Sequence, residues 1–193
     1  MNKFRPKEKK KIKPISIVID AVLVVFFICI IVLVVRHEQK EDEEGEQLYG
    51  AFHYEELETG IVLTEYLGSE AEPKIPQEIE GVKVTSIAQN CFSGNIYIEN
   101  ITIPSTIWGV GIGSFKGCIK LREVVFEDGV EMIASYAFQN CKALETVVIP
   151  ASVETIGMEA FSYTAEFTIL GEEGSEAESY AEKNGITFEK YKF

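Results

Sequence analysis

The sequence predicts a β-rich α/β solenoid, with about four coils of 23 residues built from short parallel strands and helical turns, preceded by a single transmembrane α-helix. Three observations carry this prediction. They are an apolar run of membrane-spanning length near the N-terminus, a phenylalanine that returns every 23 residues, and a charge distribution that separates the two ends. With 193 residues and 46% hydrophobic content, the chain suffices for one compact domain with accessories. Eight of its 18 Lys and Arg precede His37, opposed only by Glu8 and Asp20; from His37 onward ten basic residues face 29 acidic ones. So acidic a C-terminal part repels phosphate backbones, and no nucleic-acid partner is expected.

The apolar run, Ile15 to Val35, is interrupted only by Ser16 and Asp20. As a helix rising about 1.5 Å per residue, it reaches about 31 Å, the thickness of a hydrocarbon core. Ala21 to Val35 has no polar face, so a buried helix of a water-soluble domain fits it less well. Asp20 lies near the N-terminal end, where a carboxylate is tolerated, and Cys29 reads as lipid- or helix-facing filler. Lys3, Arg5, Lys7, Lys9, Lys10, Lys11 and Lys13 precede the run, whereas only Arg36 and Lys40 follow closely. The positive-inside rule therefore puts residues 1–14 in the cytoplasm as a basic tail, residues 15–36 in the membrane as a signal anchor, and the rest outside the cell. The exit Val34-Val35-Arg36-His37 offers no small-x-small cleavage site. Residues 37–50, charged and without hydrophobic periodicity, read as an acidic, self-repelling linker.

The repeat is carried first by Phe92, Phe115, Phe138 and Phe161. Five further apolar columns share its period: Val84, Ile107, Val130, Val153; Ile87, Val110, Ile133, Ile156; Ile98, Leu121, Leu144, Phe167; Ile101, Val124, Val147, Leu170; and Ile103, Phe126, Ile149. A single coil cannot bury its own apolar face, but a neighbouring coil can cover it, which explains why the spacing is kept. Alternation in Val124-x-Phe126 and Val147-x-Ile149 predicts one short strand per coil, with Val125 and Val148 pointing outward. Pro104 and Pro150, with Glu127-Asp128-Gly129 at the matching place, close that strand at a recurring corner. Ser135-Tyr136-Ala137 and Met158-Glu159-Ala160 predict a helical turn that plugs each Phe into the core.

These units resemble the BspA-like class of leucine-rich repeat. Ile149-Pro150-Ala151-Ser152-Val153, Thr155-Ile156-Gly157, Glu159-Ala160-Phe161 and Ala137-Phe138-Gln139-Asn140-Cys141-Lys142-Ala143-Leu144 match its pattern of strand, I-P-x-x-V, x-x-I-G, x-x-A-F and x-x-C-x-x-L. Ser114 departs from it where Ala is usual, and Tyr163-Thr164 stands where Asn-Cys belongs. The resemblance spans about Ile75 to Phe188 and implies a leucine-rich-repeat solenoid on a bacterial surface protein, often associated with adhesion. The repeats occupy residues 75–171, between an N-terminal hairpin cap at 51–74, turning at Glu58-Thr59-Gly60, and a C-terminal cap at 172–193. In the latter, Ser175-Glu176-Ala177-Glu178 forms a capping box and Asn184-Gly185 a helix stop; Ile186 to Phe188 add a last strand.

No catalytic constellation emerges. The two histidines, His37 and His53, have no evident nucleophile partner, and neither a metal site nor a cofactor is expected, so the protein reads as a non-enzyme. Gly109, Gly111 and Gly113 lack the spacing of a phosphate loop and read as solenoid corners. Asn100-Ile101-Thr102 matches a glycosylation sequon but falls on a predicted strand. Cys118 and Cys141 share a column, in which stacked side chains point the same way; with Cys91 they read as buried thiols rather than disulfides. The expected function is binding of a protein or glycan partner outside the cell, with a structural role in an envelope membrane complex as the alternative. The candidate face comprises three outward rows of the strands: Glu99, Arg122, Glu145; Asn100, Glu123, Thr146; and Thr102, Val125, Val148.

Overall fold

A computed structural model describes residues 47–192. The basic tail, the predicted span and the acidic linker through residue 46 lie outside the described residues; among the described residues, no helix is long and apolar enough to cross a membrane.

Two sheets run along the solenoid. The first opens with an antiparallel meander of β1 (Gln47–Tyr49), β2 (Phe52–Leu57) and β3 (Gly60–Tyr66). β3 then pairs in parallel with β5 (Val82–Ile87), which also carries the short antiparallel β4 (Glu78–Ile79). Three two-residue strands continue this sheet in parallel: β7 (Gly109–Val110), β9 (Met132–Ile133) and β11 (Thr155–Ile156). The second sheet is wholly parallel and consists, in spatial order, of β6 (Asn100–Ile103), β8 (Glu123–Phe126), β10 (Thr146–Ile149), β12 (Thr168–Gly171) and β13 (Thr187–Lys190).

Each inner coil therefore contributes two strands, not the one read from alternation. The second strand is only two residues long, too short for a period of two to register, and is followed by a small residue, Gly111, Ala134 or Gly157. That small residue is required by close approach. A Cβ on Gly111 would stand 2.6 Å from the Ala88 carbonyl carbon, and one on Gly157 2.7 Å from that of Ala134. Gly111 is thus a contact point between coils, and Gly109 lies within β7, rather than both marking corners.

The core columns are buried as the period requires. Ile98, Ile103, Ile107, Val110, Leu121, Val124, Phe126, Val130, Ile133, Leu144, Val147 and Ile149 are fully inaccessible. Phe92, Phe115, Phe138 and Phe161 stack along the axis, with centroids 4.5, 4.9 and 5.2 Å apart and rings within 12° of parallel. Tyr66 ends the stack at 5.0 Å from Phe92, and Tyr180 ends it edge-on at 5.9 Å from Phe161. Each buried ring contributes on the order of 1.5–3 kcal/mol by removal from water.

The last coil is one residue short. Val147 pairs with Ile169 and Val148 with Leu170, so Ile169 fills the core column and Leu170 faces out, reversing the placement expected from the uniform period. One deleted residue in a strand exchanges the faces of everything after it.

The segment around each Phe is not a helical turn. It is a run of tight turns in which Asn90, Gly113, Tyr136 and Glu159 form one column of positive φ, and Gly94, Gly117, Asn140 and Tyr163 another. Alternate N–H groups in this segment donate to the next coil: Phe92 to Ser114, Phe115 to Ala137 and Phe138 to Ala160, at 2.7–2.8 Å. The left-handed residues flank these alternate amides, which all donate in the same direction, to the next coil.

At the C-terminal end, α1 (Glu176–Asn184) closes the stack. Ser175 caps it by accepting from the Glu178 N–H, the Glu178 carboxylate accepts from the Gly174 N–H, and Gly185 takes the left-handed stop conformation. Its buried face is Ala177, Tyr180 and Ala181, the helical spacing read from the sequence.

Candidate functional site

The nine candidate residues all lie on or beside the outward side of the five-stranded sheet. Parallel pairing aligns Asn100, Glu123, Thr146, Thr168 and Thr187 in one row, and Thr102, Val125, Val148, Leu170 and Glu189 in the next. Glu99, Arg122 and Glu145 stand just ahead of the strands, joined because the Arg122 N–H donates to the Glu99 carbonyl and the Glu145 N–H to that of Arg122. Arg122 Nη1 meets Glu145 Oε1 at 2.8 Å, with both side chains more than half exposed. Such a pair contributes little to stability, about 0–1 kcal/mol, and is free to serve other contacts.

The third row departs from expectation. Val148 is only 6% exposed although it is not part of the core, because Val125 and Leu170 flank it on the outer surface. The result is a three-residue apolar seam along the sheet. Thr102 at one end and Glu189 at the other bound the seam, and both are exposed. Sequence reasoning missed Leu170, and the signal that could have found it is the missing residue between Phe167 and the strand. Thr168, Thr187 and Glu189 extend the rows through β12 and β13, which the terminal Ile186 to Phe188 segment hinted at.

At the β6 edge, Asn100 is partly covered. Its Nδ2 donates to Glu72 Oε1 at 2.8 Å, and the Glu99 and Asn100 N–H groups both reach the Ala71 carbonyl. Residues 71–77 therefore lie against the first strand and, with Asn100, Thr102 and Glu127, enclose a shallow depression of about 390 Å3. The Asn100 sequon sits on that strand as read from the sequence, its amide engaged with Glu72.

The thiols do structural work elsewhere. Cys118 Sγ donates to the Phe92 carbonyl and Cys141 Sγ to that of Phe115, each at 3.2 Å, so the cysteine column ties one coil to the preceding one. In the flanking coils Asn95 and Thr164 hold the equivalent places; the Asn95 amide donates to the Gly68 carbonyl and the Thr164 hydroxyl to the Phe161 carbonyl. Burial pushes the Cys118 thiol up to about 12 and raises those of Cys91 and Cys141 as well. All three are free and buried. In the hairpin, His53 Nδ1 stands 3.5 Å from Glu65 Oε2. Among the described residues, no group of three or more His, Cys, Asp or Glu could hold a metal ion.

Comparison with known proteins gives the same architecture. A leucine-rich repeat protein of Bacteroides capillosus superposes with a TM-score of 0.61 at 26% identity, covering 67% of this chain and all of that one. A leucine-rich repeat protein of T. pallidum gives 0.53 at 27% identity, covering 65% of this chain and 71% of that one. No curated protein matches the chain. The BspA type Leucine rich repeat region matches residues 78–174 in six copies, so about four coils undercounts the solenoid, which the flanking β3 and β13 lengthen at both ends. With half of its length in that match, the chain belongs to the BspA-type leucine-rich repeat family.

Proposed function

We propose that this protein is a membrane-anchored, non-catalytic recognition module, held outside the cell by its N-terminal segment and binding a protein or glycan partner on the outward side of the five-stranded sheet. The observation that carries this reading is the seam of Val125, Val148 and Leu170 set beside Glu123, Glu145 and the Thr146–Thr168–Thr187 row. An apolar strip in a polar surround is the composition of an interface centre and its rim. The acidic surround favours a basic partner surface, which long-range attraction would orient before contact.

Two measurements test the reading. Protease shaving of intact cells should release peptides from Glu41 onward; complete protection until lysis would place the repeats inside and favour the scaffold role. Reversing Glu99, Glu123 and Glu145 to Lys together should weaken binding to a partner captured on intact cells at least tenfold. Unchanged binding would remove the sheet face from the account.

A further inference from the structure

The ladder of amides on the turn side has an open end. In every inner coil three alternate N–H groups donate forward. Those of Asn90, Phe92 and Gly94 reach the carbonyls of Ile112, Ser114 and Lys116. Gly113, Phe115 and Gly117 reach Ser135, Ala137 and Gln139; Tyr136, Phe138 and Asn140 reach Met158, Ala160 and Ser162. The corresponding amides of the last coil belong to Glu159, Phe161 and Tyr163, and no backbone carbonyl meets them among the described residues.

Their geometry is nonetheless that of the inner coils. Glu159 and Tyr163 hold φ of 53° and 58°, matching Tyr136 at 62° and Asn140 at 64°. From behind, the coil is pinned by three ladder bonds of 2.7–3.2 Å and by Lys142 Nζ on the Tyr163 carbonyl at 2.7 Å. In front lies a cavity of about 510 Å3, bounded by Phe161, Ser162, Ala165 and Phe167 on the coil and by Tyr180 and Asn184 of α1. The Tyr180 phenol faces the Ala160 and Phe161 N–H groups, so a side-chain oxygen stands where the inner coils have a carbonyl.

We propose that this end is a docking site for a segment of a protein partner that takes the tight-turn conformation of an inner coil, whose alternate carbonyls meet the Glu159, Phe161 and Tyr163 amides as one more coil would. Three times over, the molecule itself demonstrates the fit of a peptide chain to this row. Glu159 and Glu166 on the cavity wall disfavour an anionic ligand despite the aligned amides. A second copy of the chain is a poor occupant, because the Tyr66 N–H already takes the Cys91 carbonyl at the opposite end of the ladder. Preset donors lower the ordering cost of association, leaving that cost with the incoming segment.

The test uses the full chain in detergent micelles and a synthetic peptide copying residues 132–143, with serine for Cys141, which supplies the carbonyls of Ser135, Ala137 and Gln139 inside the solenoid. Saturable binding that shifts the Glu159 and Tyr163 amide resonances is the expected result. Tyr180→Phe keeps the ring on Phe161 and removes the competing oxygen, so it should tighten binding about 5-fold, the worth of one net hydrogen bond. Ala165→Trp, at an exposed position on the cavity wall, should abolish it. The proposal is overturned if the peptide binds none of the three proteins, if both variants bind like the parent, or if sulfate alone moves the same amides while the peptide does not.

Discussion

The inward and outward sides of the same strands obey different rules. In β8, Val124 and Phe126 are fully buried, and the equivalent places in β10 are Val147 and Ile149. The outward positions run Asn100, Glu123, Thr146 along one row and Thr102, Val125, Val148 along another, each mixing residue types that no inward column mixes. Inward identity is fixed because each side chain is packed by its own counterpart above and below. Outward identity is released from that constraint, so function can be written there without disturbing the stack.

The sharpest way to break this contrast is to remove one ring from the inward stack. Phe138→Ala deletes a side chain held between Phe115 and Phe161 and touched edge-on by Phe126, and should cost about 3–5 kcal/mol in chemical unfolding. A loss below about 1 kcal/mol would mean that the coils do not support one another. Gly157→Ala comes next, at about 1–3 kcal/mol, since the new methyl meets the backbone of Ala134 and Ser135, which cannot move aside as a side chain could. The same assay reads it, and an unchanged midpoint would contradict the close approach.

The thiol column makes a pH-dependent prediction. Because burial raises the Cys118 thiol from 9.0 to about 12, the fold favours its protonated form. That contribution is complete below pH 9 and is lost as pH rises toward 12. Tyr66, raised to about 12 chiefly by burial and then by its hydrogen bond to Glu70, acts in the same direction. Unfolding free energy should therefore fall between pH 9 and 11, less steeply in Cys118→Ala, and the three buried thiols should resist alkylation at pH 8 until the chain is unfolded. Rapid native labelling of Cys118 would show that the column opens. The smallest effect belongs to the outer side: Arg122→Ala should change stability by no more than about 1 kcal/mol, since the Arg122–Glu145 pair is exposed.

What the sequence revealed follows from the same contrast. The phenylalanine column and the five apolar columns were readable because burial forces one chemistry at one spacing, and the capped helix at Ser175 because its end residues have local geometric duties. The second strand was not readable, since Gly109–Val110 and its counterparts are too short to alternate. The turn ladder was readable only in part: Asn90 and Gly113 in one column and Gly94, Gly117 and Asn140 in the other favour left-handed backbone, but Tyr136, Glu159 and Tyr163 continue those columns with side chains that give no warning. Asn100, Thr102, Glu123, Val125, Thr146 and Val148 could be named from alternation, but the seam could not, because Leu170 reaches it only through the residue lost after Phe167.

Site-specific photo-crosslinking on intact cells tests the central claim most directly, with the crosslinker at Glu123 on the sheet face or at Glu154, beside β11 of the other sheet, both exposed. The account predicts a discrete adduct from Glu123 that is absent from Glu154 and disappears when Glu99 and Glu145 are reversed to Lys. Adducts of equal yield from both positions, or from Glu154 alone, would contradict recognition on the five-stranded sheet.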